Sequence, residues 1–254
     1  MKKSLSLNNF ARSGARFAKR LLLPLAIAAL GGLSQPAQAA ALIDLAVFGD
    51  GDVSVTSPDA KVYGAVHTNG NFATSGGSTV YGGVSAVGTV TNDIGNPSFL
   101  LGGSTAGAAP RTYPNMTAVL AAIGAPYTEI TPAGGTLYYS GNQTFSGVYW
   151  VHGNVDISTD IDLMRTATFL ADGDIDVSNG TLSSAVQNSS FPYGLALYSG
   201  GGHVTVSGAS VSGSVAGKTT VDISGQTQVP EPSSAMLLGL GGIGAAVLRK
   251  RKRA

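Results

Sequence analysis

One short phrase recurs along the chain and narrows what it can fold into. It consists of a turn residue, then branched apolar side chains alternating with small polar ones, and usually a closing serine. The copies are Gly51-Asp52-Val53-Ser54-Val55, Gly153-Asn154-Val155-Asp156-Ile157-Ser158, Gly173-Asp174-Ile175-Asp176-Val177-Ser178, Gly202-His203-Val204-Thr205-Val206-Ser207 and Thr220-Val221-Asp222-Ile223-Ser224. A period of two puts Val155 and Ile157 on one side of a strand and Asp156 on the other, as a half-buried strand requires. A second phrase, Val62-Tyr63-Gly64-Ala65-Val66, returns eighteen residues later as Val80-Tyr81-Gly82-Gly83-Val84. Val155 and Ile175 are twenty residues apart, and Val204 and Val221 seventeen.

Strands returning at this spacing, with Gly, Asn and Ser turns between them, predict an all-β chain wound as a parallel β-helix, or β-solenoid. Each coil would advance about 4.8 Å and stack its Val and Ile on those of the next. Ladders of branched residues fill so narrow an interior, which is why an aromatic content of 7% suffices. The alternative is an antiparallel β-sandwich, which also needs many short, evenly spaced strands. Likeness between the copies in sequence as well as in period favours the solenoid.

The pattern fails between about 91 and 135, where Asn92 to Pro97 and Gly102 to Arg111 read as loop. Residues 113–124 read as a helical insertion. Asn115 is its cap and Gly124 its stop, with Met116, Val119, Leu120 and Ile123 as the buried stripe. Such a helix would lie along the side of the solenoid or cap its end. Strands resume at Leu137-Tyr138-Tyr139 and Val148-Tyr149-Trp150-Val151.

Charge divides the chain into three parts. Of fifteen Lys and Arg, six lie in residues 1–39 and five in 249–253, leaving Lys61, Arg111, Arg165 and Lys218 for residues 40–228. That stretch holds thirteen of the fourteen carboxylates, a formal charge of −9. An acidic body without clustered cations excludes nucleic acid as a partner. A chain without cysteine has no disulfide framework, thiolate metal site or cysteine nucleophile.

Both ends read as addressing segments. Residues 1–39 form a signal peptide: a basic lead from Lys2 to Arg20, an apolar run from Leu21 to Leu33, then Ala37-Gln38-Ala39. Ala37 and Ala39 are the small side chains that a signal peptidase pocket must admit, with cleavage expected after Ala39 or, close by, after Ala40 or Ala41. At the other end Pro230-Glu231-Pro232 precedes an apolar run, Ala235 to Leu248, and the cluster Arg249-Lys250-Arg251-Lys252-Arg253. Those fourteen apolar residues would span about 21 Å as a helix, short of a hydrocarbon core of about 30 Å. Such a segment suits transient membrane insertion, its basic end cytoplasmic and residues 40–228 outside.

Pro230, Glu231 and Pro232, followed by a short apolar helix and a basic tail, resemble the PEP-CTERM sorting signal of Gram-negative bacteria. The resemblance covers residues 229–254. It implies an exported substrate of an exosortase, a membrane transpeptidase-like protease, and an association with extracellular polysaccharide. The physical reading agrees, because two prolines keep the motif extended and unable to pair in a sheet, so a protease can hold it. The body, residues 40–228, broadly resembles secreted bacterial β-solenoid surface domains.

Chemistry-bearing motifs are sparse. The sequence has no G-x-S-x-G elbow, HExxH or P-loop, and His152 and His203 sit beside turn glycines as exposed turn residues. The carboxylates are the stronger lead. Alternation projects Asp172, Asp174 and Asp176 to one face, where stacked coils would bring Asp156 beside them. Such a cluster offers hard oxygen ligands for calcium or paired acids for glycan cleavage; otherwise it is a solvated acidic face. Thr and Ser alternating in Val204 to Val215 offer a hydroxyl rank for glycan or ice, without a regular T-x-T ladder. The expected function is structural or adhesive rather than enzymatic, at the cell surface or in an exopolysaccharide matrix. A glycan-active β-helix enzyme and a hydroxyl-rank binder are the alternatives.

Overall fold

The computed structural model describes residues 41–93, 98–140, 145–158, 164–225 and 228–229. The first coil comprises β1 (Val47–Gly49), β2 (Asp52–Thr56) and β3 (Lys61–Val62), and the second β4 (Val66–Thr68), β5 (Phe72–Ser75) and β6 (Thr79–Val80). The third comprises β7 (Val84–Ala86), β8 (Val90–Asn92) and β9 (Phe99–Leu100), and β10 (Ser104–Ala106) begins another turn. A crossover carrying helix α1 (Met116–Ile123) leads to β11 (Tyr127–Ile130) and β12 (Thr136–Ser140), then β13 (Ser146–Val151) and β14 (Asn154–Ser158). Next come β15 (Met164–Ala171), β16 (Ile175–Ser178), β17 (Thr181–Ser183), β18 (Val186–Asn188) and β19 (Phe191–Ser199). The last strands are β20 (Val204–Ser207), β21 (Ser210–Ser212), β22 (Ser214–Gly217), β23 (Thr220–Ser224) and β24 (Gln228–Val229).

Among the described residues every strand pairing is parallel except β18 with β19, so the chain is a parallel β-helix and not a sandwich. Its coils have three faces. An open face stacks eight strands in the order β12-β14-β16-β20-β23-β2-β5-β8. A covered face runs β11-β13-β15-β19-β22-β1-β4-β7-β10, and a third face runs β17-β21-β24-β3-β6-β9. Strand β15 turns the corner between the last two, pairing with β17 through Met164–Thr166 and with β19 through Phe169–Ala171.

Coil order does not follow chain order. The chain enters in the middle of the stack, winds three coils to one end, crosses back to the other end, and winds toward the middle again. Its C-terminal coil then closes a seam on its N-terminal one. Val221 pairs with Val53 and Ile223 with Val55, while β22 joins β1 and β24 joins β3. The interior ladder therefore passes from one chain segment to the other without a break. Leu137, Val155, Ile175, Val204, Val221, Val53, Phe72 and Val90 follow one another in register. Close stacking also fixes composition at one corner. A Cβ on Gly82 would lie 2.2 Å from the Gly64 carbonyl carbon, and one on Gly102 2.2 Å from that of Gly82, so only glycine fits.

The stretch expected to lack strands contains β8 to β11, which corrects the reading of 102–111 as loop. The physical reason is position. Strands β9 and β10 lie at one end of the stack and β11 at the other, each paired on one side only. Strand β10 is wholly exposed and β11 nearly so. An edge strand that buries no face needs no apolar alternation.

Helix α1 forms as expected. The Asn115 side chain accepts from the Ala118 amide at 2.8 Å and Gly124 closes the helix in the left-handed region at φ 62°. The helix lies along the side of the stack. Val119 and Ile123 are buried with Phe48, Leu170 and Tyr198 in a second apolar cluster outside the covered face, and Met116 and Leu120 are half-buried against it. The β18–β19 hairpin brackets this layer. Asn188 donates to the Ala122 carbonyl at 3.0 Å, and the Ser190 carbonyl accepts from Leu42 and Ile43.

Candidate binding face and sorting segment

Among the described residues no layer lies over the open face, and its outward side chains form registered, mostly polar ranks. In the central rank Tyr138, Asp156, Asp176, Thr205, Asp222, Ser54, Ala73 and Thr91 follow one another in register across the seam. Ser140, Ser158, Ser178, Ser207 and Ser224 make a parallel rank of serines. No Lys or Arg occurs in the strands of this face. At the seam the Ser54 hydroxyl donates to Asp222. His203 lies between two carboxylates, with Nδ1 at 3.0 Å from Asp174 and Nε2 at 3.5 Å from Asp176, and its backbone amide also donates to Asp174 at 3.0 Å.

The same position on the covered face carries a different rank: Glu129, Trp150, Leu170, Tyr198, Ala216, Phe48, His67 and Ser85. Its apolar middle lies under the helix layer. Tyr113, on the crossover, stacks on Tyr198 at 5.4 Å and donates to the Ser199 carbonyl at 2.7 Å. Burial raises the pKa of both phenols. His67 is buried between Ser85 Oγ, 2.8 Å from Nδ1, and Asn69 Oδ1, 3.1 Å from Nε2, and burial holds its pKa below the usual value. An amide oxygen only accepts, so Nε2 carries the proton and Nδ1 accepts from the serine.

A rank of paired charges lines the corner between these two faces. His152 Nε2 is 2.5 Å from Glu129 and Nδ1 2.8 Å from Asp172, and these two hydrogen bonds, Glu129 first, raise its pKa. Trp150 Nε1 donates to the other Asp172 oxygen at 3.0 Å. Farther along, Lys218 donates to Asp50 at 2.5 Å. Burial pushes the Asp50 carboxyl up, but the Lys218 ammonium and the Asn69 amide outweigh it and hold the group below the usual carboxylate value.

The three aspartates singled out from the sequence are thus divided. Asp174 and Asp176 share His203 on the open face, whereas Asp172 belongs to the charged corner with His152 and Trp150. Asp156 lies beside Asp176, as expected. Both histidines expected as bare turn residues have carboxylate partners. Among the described residues no group of three His, Cys, Asp or Glu side chains is placed to hold a metal ion. Ala37, Ala39, Pro230, Glu231 and Pro232 lie outside the described residues. The continuity of the polar ranks across the seam was not anticipated. The sequence carries no signal for it: Thr220-Val221-Asp222-Ile223-Ser224 shares only Val221 with the first copy at Val53, but both Val221 and Ser224 with its chain neighbour at Val204 and Ser207.

Residues 228–252 match the model of the PEP-CTERM protein-sorting motif. The motif marks an exported protein directed to the cell envelope and implies processing by an exosortase. The matched region begins inside the fold, because Gln228 and Val229 form β24 and pair with Lys61 and Val62. Searches of curated proteins and of solved structures found no match. Among the described residues no helix is long and apolar enough to cross a membrane.

Proposed function

We propose that the protein is a non-enzymatic structural rod of the cell surface or extracellular matrix, which contacts extracellular polysaccharide through its open face. The observation that carries this reading is the unbroken outward rank Asp156, Asp176, Thr205, Asp222 and Ser54 on a sheet face over which none of the described residues packs. Its groups recur at the strand spacing of about 4.8 Å. Carboxylate and hydroxyl oxygens accept from sugar hydroxyls, and the hydroxyls also donate. Each hydrogen bond contributes only about 0.5–1.5 kcal/mol. A repeating chain on a repeating face engages many at once, and that multiplicity supplies the affinity.

Co-sedimentation of the exported chain with the polysaccharide of the producing cells tests this reading. Binding that falls in Asp156→Leu/Asp222→Leu with the fold intact is expected; equal binding by both chains would refute it. EDTA is expected to leave binding unchanged; loss of binding in EDTA that Asp174→Asn/Asp176→Asn reproduces would place calcium at these two aspartates.

The enzymatic alternative has less support, because Asp174 and Asp176 both turn to His203 on an open strip rather than a cleft. Glycan cleavage by wild type that is lost in Asp172→Asn/Asp174→Asn/Asp176→Asn would reinstate it. Ice binding has the serine rank in its favour, and thermal hysteresis measurements are expected to show no activity.

A further inference from the structure

The third face differs from the open face in charge, and it gathers exposed apolar side chains at one end where the open face has Tyr138 on its first strand, β12. Its strands β17, β21, β24, β3, β6 and β9 contain no carboxylate, and β3 contributes Lys61. The nearest carboxylate in sequence, Asp59, stands in the turn leading into β3. Open-face strands carry Asp52, Asp156, Asp176 and Asp222. At the edge of the third face Tyr63 stacks flat on Tyr81, with ring centroids 4.4 Å apart and planes 5° apart. Tyr81, Phe99 and Leu101 are 42%, 60% and 63% exposed, an apolar strip running from the seam to one end of the rod.

That strip starts where the sorting segment leaves the fold. Val229 pairs with Val62, the residue before Tyr63, and Pro230 follows at once. Five residues, Pro230 to Ser234, then separate the strand from the apolar run beginning at Ala235. Fully extended, they reach at most about 20 Å. With the apolar run in a bilayer, the third face at the seam therefore stands within about that distance of the lipid. The seam lies between the fifth and sixth of eight stacked open-face strands, inside the stack and not at an end.

We propose that the membrane-held form of the protein lies lengthwise on an anionic bilayer surface, third face down and open face turned away. This rests on reading the C-terminal segment as a membrane-held sorting signal. Tyr63 and Tyr81 present amphipathic rings suited to the headgroup level, with Phe99 and Leu101 as apolar contacts beside them. Lys61 is drawn toward anionic headgroups, and the open-face carboxylates are repelled by them. Exosortase would thus meet its substrate with the polysaccharide-contacting face already directed outward.

The cysteine-free chain allows a direct test. Full-length Thr79→Cys (third face) and Thr205→Cys (open face) would each carry one fluorophore and be mixed with phosphatidylglycerol-containing vesicles bearing headgroup quenchers. Quenching several-fold stronger at 79 than at 205 is expected. In a Phe99→Ser/Leu101→Ser background the difference should shrink while the chain stays vesicle-bound. Bound chain quenched equally at both sites, or more at 205, overturns the proposal and leaves the sorting reading standing. Failure of the full chain to bind vesicles overturns both.

Discussion

The covered and open faces are built from neighbouring strands of the same coils, yet among the described residues one lies under a helix and the other under no further element. Their inward ladders are alike: Val47 and Val215 on one, Val53 and Val221 on the other, all fully buried. The difference lies in the outward ranks. Leu170, Tyr198 and Phe48 offer a surface that water disfavours, and helix α1, Tyr113 and Ile43 cover it. Asp176, Thr205 and Asp222 offer one that water satisfies, so among the described residues no element of the fold packs over it. In a β-helix the inward residues set the coil, and the outward residues decide what each face meets.

Truncations test this contrast most strongly. Leu170→Ala on the covered face removes an outward side chain that is fully buried, and should cost about 2–5 kcal/mol. Ile223→Ala, an inward residue at the seam, should cost the same range. Urea denaturation reads both. If Leu170→Ala costs as little as a surface change, the helix layer is not part of the folded core.

Helix capping comes next. Asn115→Ala removes the acceptor for the Ala118 amide and should cost about 0.5–2 kcal/mol in the same assay. Its effect should fall mainly on the covered side, seen as faster amide exchange in α1 than in β20 or β23.

Two histidines then give opposite pH slopes. His67 has a pKa lowered by burial, so its contribution is complete above the ordinary value of 6.5 and is lost as pH falls below it. His152 has a pKa raised by Glu129 and Asp172; its contribution is complete below 6.5 and is lost as pH rises through the raised value. NMR titration of the two imidazoles should place them on either side of 6.5, and coincident titrations would contradict both environments.

The smallest effect belongs to the open face itself. Thr205→Ala and Asp176→Asn should each stay within about 0.5 kcal/mol of wild type in urea denaturation. A larger loss would mean that this surface is structural rather than free to bind.

The coil pattern was legible in the sequence because one repeated requirement, a branched pair inward and a small polar residue outward, wrote itself into Val155-Asp156-Ile157 and its copies. The helix was legible from Asn115 and Gly124, which act locally. Edge strands β10 and β11 were not, since an unburied strand leaves no periodic trace. The seam was not legible either. Val53 meets Val221 across 168 residues, and parallel stacking of near-identical copies fits many orders equally well. Placement of the carboxylates was half legible. Alternation put Asp156 beside Asp176, but the turn at Gly173 separates Asp172 from Asp174, and only coil stacking supplies His152 to one and His203 to the other.

The central claim is that the open face, and not the third face, meets the polysaccharide. Thiol modification rates of Thr205→Cys and Thr79→Cys, measured with and without polysaccharide from the producing cells, test it most directly. The account predicts slower modification at 205 and an unchanged rate at 79. Equal slowing at both positions, or protection at 79 alone, would contradict it.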